Sequence, residues 1–128
     1  MKLLIDTHIL LWLLREPKRI RNVAKVALND DGNQVFVSAA SAWEIAIKVQ
    51  LGKLTIDSGL LVNFDAEVRS LGMVPLPMTS QHGIKAALIA SPHKDPFDRM
   101  LAGQAIVEGL TVITSDSAFA SMGVNIIW

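Results

Sequence analysis

Four acidic residues, Asp6, Glu44, Asp98 and Asp116, have side chains able to do chemistry and fall where strand-like runs hand over to helix-like ones. Asp6 follows the run Lys2-Leu3-Leu4-Ile5. Glu44 lies in a nearly all-apolar helical stretch. Asp98 falls in the first turn of a later helix, and Asp116 follows Leu110 to Thr114. Converged carboxylates repel each other by about 4 kcal/mol per close pair at an effective dielectric near ~20. At neutral pH they stay ionised only where a cation neutralises them. The economical reading is a divalent metal site, and such sites cut phosphodiesters. Carboxylate oxygens suit the hard ions Mg²⁺ or Mn²⁺.

The elements that must position these acids alternate. Residues 2–5 read as a buried strand. Thr7 is placed to cap a helix ending before Pro17. A second helix carries Ile20, Val23, Ala24, Ala27 and Leu28 on one face. Asp30 to Asn33 is a turn, and 34–37 a second strand. Ser38 caps a helix to about Gln50, which Gly52 stops. Ser58 opens a helix that ends at Gly72. A third strand spans 73–76, and Thr79 caps a helix to about Ala90. Asp95 caps, and Pro96 starts, the helix that ends at Gly109. Strands follow at 110–114 and 124–127. This order predicts an α/β fold with a parallel sheet, right-handed crossovers and helices on both faces. Ligands bind such sheets beyond the carboxyl ends of the strands, where Asp6 and Asp116 fall by position.

Each acid also has a plainer role open to it. Asp6 and Asp116 are preferred caps, and Asp98 would favour the dipole of its helix. Glu44 would pair with Lys48 one turn on. Its helix is otherwise so apolar that a carboxylate there needs a partner. His8, His82 and His93 lack ligand spacing and read as solvated or core histidines. Trp12, Trp43 and Trp128 read as core or interface. The basic run Arg15, Lys18, Arg19, Arg21 and Lys25 reads as a solvated face. Lys94 and Arg99 flank the Asp98 turn and are better placed to meet a phosphate.

Composition bounds the rest. A chain of 128 residues, 51% hydrophobic, is expected to be one domain with a sizeable core. It has no cysteine and a formal charge of zero. That excludes disulfides and thiolate zinc sites, fits a reducing cytoplasm, and argues against a strongly basic nucleic-acid binder. The longest apolar run, Ile9 to Leu14, is six residues, too short to span a membrane.

The blocks LLIDTHILLWLL, FVSAASAWEIAIKVQLGKL, HKDPFDRMLAGQA and LTVITSDSAF follow one another along the chain. On these blocks the chain resembles a PIN domain, specifically a VapC-like toxin ribonuclease. The resemblance implies a three-layer fold around a five-stranded parallel sheet, with an acidic site binding Mg²⁺ or Mn²⁺. It implies metal-dependent cleavage of RNA, homodimerisation, and inhibition by a small antitoxin encoded beside the toxin. By position the family's acids fall on Asp6, Glu44, Asp98 and Asp116. Asp95, first in the D-P-F-D block, matches a capping position. Thr114 matches a small hydroxyl residue beside the last acid, and Ser115 stands where many relatives have a basic residue. Thr7, Thr114, Ser115, Arg99 and Lys48 are the residues expected on the substrate side.

Two other classes are weighed against this. A phospho-receiver signalling domain also places acids and Mg²⁺ at strand ends. It wants paired acids after the first strand, where only Asp6 stands, and an Asp after the third, where Pro77-Met78-Thr79 stands. A catalytically silent PIN-like binding module is disfavoured by the four intact acids.

Overall fold

A computed structural model describes residues 1–128, the side chain of Ser58 excepted. Five strands form one all-parallel sheet: β1 (Lys2–Ile5), β2 (Gln34–Ser38), β3 (Val74–Leu76), β4 (Thr111–Ile113) and β5 (Ile126–Ile127). They lie side by side in the order β3-β2-β1-β4-β5. The chain builds outward from β1 to one edge, then returns to β4 and builds to the other. The direction reverses between β1 and β4, so the switch point lies beyond Ile5 and Ile113, which are in register.

Strand residues alternate between two cores, as the pleat requires. Leu3, Ile5, Val35, Val37 and Ile113 enter one core with Ile9, Leu10, Ala24 and Ile45. Leu4 and Val112 enter the other with Leu101, Ala102, Ala105 and Phe119. The sheet is thus the middle of three layers. One side carries α1 (Thr7–Arg15), α2 (Asn22–Asn29) and α3 (Ala39–Gln50), followed by α4 (Ser58–Val62) and α5 (Phe64–Ser70). The other carries α7 (Pro96–Glu108), against which α6 (Ser80–Leu88) packs.

Several boundaries differ from the sequence reading. Asp6, not Thr7, caps α1, because its carboxylate accepts the Ile9 N–H. The expected helix from Ser58 to Gly72 is two helices broken at Asn63. Strand β5 has two residues and not four. The cap assigned to Asp95 is as expected, with its Oδ1 accepting from Phe97 and Asp98. Among the described residues no helix is long and apolar enough to cross a membrane.

Helices α6 and α7 meet at a glycine. A Cβ on Gly103 would lie 2.8 Å from the His82 carbonyl oxygen and 2.9 Å from the Ala86 nitrogen. Both are backbone atoms of α6, so the helix itself would have to move. Gly103→Ala is expected to destabilise the fold by about 1–3 kcal/mol through overpacking, although Ala is the better helix former. A denaturant midpoint equal to that of the native chain would contradict this.

Candidate functional site

Asp6 leaves the end of β1 at the switch point and is almost fully buried, at 4% exposure. Its Oδ1 accepts the Ile9 N–H at 2.8 Å. Its Oδ2 accepts the hydroxyl of Thr114, which follows β4. The same Thr114 oxygen accepts the Asp116 N–H at 3.0 Å. One hydroxyl therefore ties the first acid to the last across the two central strands. Asp116 is exposed, and its Oδ1 caps a 3-10 turn by accepting the Ala118 N–H.

Helix α3 brings the third acid. Ser38 caps it and donates to Gln104 Oε1 of α7 at 2.6 Å. Thr7 Oγ1 donates to Ser41 Oγ at 2.9 Å, which fixes α3 against α1. The polar stripe of α3 turns inward: Ser41 and Glu44 are buried, while Trp43 is 55% exposed. Glu44 Oε2 accepts from Lys48 Nζ at 2.7 Å. The Glu44 charge bears on both Asp6 and Asp98.

Asp98 arrives on the first turn of α7. Because Asp95 does the capping, the Asp98 carboxylate is free to turn elsewhere, and it meets His93 with Nε2 2.9 Å from Oδ2. Ligand atoms of His93, Asp98 and Asp116 all lie within 4.8 Å of one another. Burial pushes the Asp6 carboxyl above its ordinary range, opposed by the Thr114 and Ile9 hydrogen bonds and assisted by the Glu44 charge. Burial likewise raises Asp98, opposed by the His93 hydrogen bond and assisted by Asp95 and Glu44. The carboxylates of Asp98 and Asp116, with the His93 imidazole beside them, are a donor set that suits a divalent ion.

The residues expected on the substrate side are placed differently. Thr7 and Thr114 are buried and their hydroxyls are engaged within the protein, so they hold the site together and do not face an RNA strand. Arg99 is turned away from the acids. Its five N–H groups meet the carbonyls of Ala86, Ala87, Ile89, Ser91 and His93, which leaves none of its fork for a phosphate. Ser115 is exposed beside Asp116, and Lys48 is half-buried on Glu44. His93 is the residue that sequence reasoning missed. It lies on a loop, so no helical spacing marks it; the available signal was its place in the H-K-D-P-F-D block. His82, by contrast, is a core histidine, with Nδ1 accepting from Thr79 and Nε2 meeting Glu108.

The PIN domain family profile matches residues 3–125. The chain belongs to the PIN domain family. Among curated relatives, this PIN domain is 27% identical over 121 residues to ribonuclease VapC22 of Mycobacterium tuberculosis, covering 92% of this chain and 89% of that one. Among solved structures it resembles VapBC2 from Rickettsia felis bound to a promoter DNA fragment, with TM-score 0.71, 12% identity, and 99% and 98% of the two chains covered. It also resembles VapBC-1 from nontypeable Haemophilus influenzae, with TM-score 0.70, 18% identity, and 99% and 97% covered. At these identities the structural likenesses speak for the fold.

The Asp6 environment sets a pH dependence. A carboxyl raised in the folded state binds protons more tightly there than in the unfolded chain. It therefore lowers stability above its folded pKa, and this cost fades as pH falls toward the unfolded value. In chelator, Asp6→Asn in this PIN domain is expected to melt higher than the native chain at neutral pH, with the gap narrowing on acidification. Calorimetry across pH would refute this if the variant melted lower at neutral pH.

Proposed function

We propose that this PIN domain is a Mg²⁺- or Mn²⁺-dependent endoribonuclease and the toxin half of a toxin–antitoxin pair. The observation that carries the reading is the approach of Asp98 and Asp116, with His93, to within 4.8 Å of one another, beside an Asp6 that Thr114 links to the Asp116 backbone. We take Glu44, whose charge bears on Asp6 and Asp98, as the fourth member. The relative named ribonuclease supports RNA as the substrate. In this reading Asp6, Asp98, Asp116 and Glu44 hold the metal. When bound, it supplies a water of lowered pKa and neutralises charge on the scissile phosphate. The chain's own groups prepare for this. Thr114 and the Ile9 N–H hold both oxygens of Asp6 in one orientation. Lys48 fixes Glu44 by a charge-assisted hydrogen bond. Asp116, the exposed acid, marks the open side from which RNA approaches, with Ser115 beside it. With zero formal charge, attraction of RNA is local to the site and not a property of the whole surface.

The test is cleavage of a labelled single-stranded RNA with Mn²⁺, Mg²⁺ or chelator. Chelator should abolish cleavage. Asp98→Asn should lower it by roughly 100-fold or more, beyond the 10–100-fold usual for a group that only supports a ligand. Helix capping belongs to Asp95, so the variant should keep its fold. Cleavage unaffected by chelator would remove the metal reading. RNA binding without cleavage would favour a silent binding module.

Assembly is the second part of the proposal. Ile84 and Leu88 stand 61% and 76% exposed on α6, and a homodimer would cover them. A small antitoxin would silence the enzyme by setting an Arg against the acids in a bidentate contact. Light scattering at micromolar concentration reads both. The chain alone should show a dimer mass, and the heavier antitoxin complex should weaken as Mn²⁺ rises. A monomer mass, or a complex indifferent to Mn²⁺, would contradict the corresponding half.

A further inference from the structure

The connection between α6 and α7, residues 89–95, carries no regular structure, yet it is held from within. Arg99 Nη2 donates to Ile89 O at 2.7 Å and to Ala87 O at 3.3 Å. Its Nη1 donates to Ser91 O at 3.2 Å and His93 O at 2.9 Å, and its Nε to Ala86 O at 3.0 Å. Two of these carbonyls, Ala86 and Ala87, lie in the last turn of α6, where helix carbonyls lack partners. The others line the loop up to His93. His93 is held a second time, its N–H donating to Ser91 Oγ at 3.2 Å. Its backbone is thus tied on both sides, and its imidazole reaches Asp98 Oδ2 at 2.9 Å. Arg99 follows Asp98 by one residue, about 100° round the helix. The two side chains therefore leave α7 in different directions and meet again through His93.

We propose that Arg99 and His93 form a positioning relay: Arg99 ties down the loop, and His93 fixes the Asp98 carboxylate so that it is ready for a divalent ion. This rests on the metal-dependent reading given above. An ionised carboxylate can only accept, so His93 Nε2 carries the proton and the second oxygen of Asp98 stays available. Without His93 the carboxylate is free to rotate, and binding has to order it first. The relay also explains why this family member spends an entire guanidinium on backbone carbonyls beside a site for phosphate chemistry.

The experiment is a Mn²⁺ titration of the full chain, read by the paramagnetic resonance signal of free Mn²⁺, with melting temperature recorded in chelator. His93→Ala should weaken Mn²⁺ binding about 10–100-fold, the usual effect of removing an orienting group. Its metal-free melting temperature should stay near native, and His93→Gln, which restores an N–H donor, should recover part of the affinity. Arg99→Lys keeps the charge but loses the fork and should also weaken Mn²⁺. In a His93→Ala background it should add no further loss, because the two act through one route. Native affinity in His93→Ala would overturn the relay. Independent, additive losses would remove Arg99 from it. Nitrogen coupling to bound Mn²⁺ that disappears in His93→Ala would make His93 a ligand and overturn the positioning role. If the native chain itself takes up no Mn²⁺, the metal reading fails and the relay with it; a failure confined to the variants leaves that reading intact.

Discussion

Burying a carboxylate at the end of a central strand is the costly step on which the rest of this structure depends. Asp6 is nearly closed to solvent and has the Glu44 charge nearby, and burial alone pushes it toward its neutral form. Two donors oppose that cost. The Ile9 N–H belongs to the first turn of α1, so the acid exists only if the helix starts at once. The Thr114 hydroxyl exists at that point only if β4 lies beside β1 in the observed register. Local capping and long-range strand pairing are thus joined in one side chain, 108 residues from its partner. The sheet order follows the same logic: the reversal between β1 and β4 brings Asp6, Thr114 and the Asp116 backbone together at the strand ends.

The supporting polar groups form a frame around that space. Ser38, Gln104 and the Pro77 carbonyl connect β2, α7 and the turn after β3. Thr7 and Ser41 connect α1 to α3. All four side chains in these bonds are buried, and no buried side-chain polar atom among the described residues lacks a partner. Such a network costs little when complete and much when one member is lost, so each contact constrains the others. The acids are therefore held by elements that are themselves mutually fixed, and the site has little freedom to relax its own repulsion by spreading apart.

Much of this was legible in the sequence. Strand runs, caps at Ser38, Thr79 and Asp95, and the stop at Gly109 are local signals, and local physics decides them. The parallel sheet followed from the alternation, and the places of Asp6 and Asp116 from their positions just after β1 and β4. What escaped was decided by tertiary contact. Asp6 and Thr7 are both capping residues, and only the Thr114 partner shows why the acid takes the role. The break at Asn63 has no proline or glycine to mark it. Arg99 sits beside an acid and reads as a phosphate contact, because no spacing rule reveals five carbonyls converging from another helix and a loop. His93 escaped for the same reason, since loop residues carry no periodicity. Of the two readings of Trp43, core or interface, exposure excludes the core: it stands open with its ring edge-on to Phe97 at 5.1 Å between centroids.

The sheet edges have a consequence for recognition. One edge is β3, three residues long with Pro75 in its middle, and the other is β5, two residues long. A proline offers no N–H, and two residues offer almost no ladder. Neither edge can template an added strand, so a polypeptide that grips this protein has no backbone rail to align on. Its register must be read from side chains seated among helices, one pocket at a time. Discrimination between closely related partners is then a matter of a few residues.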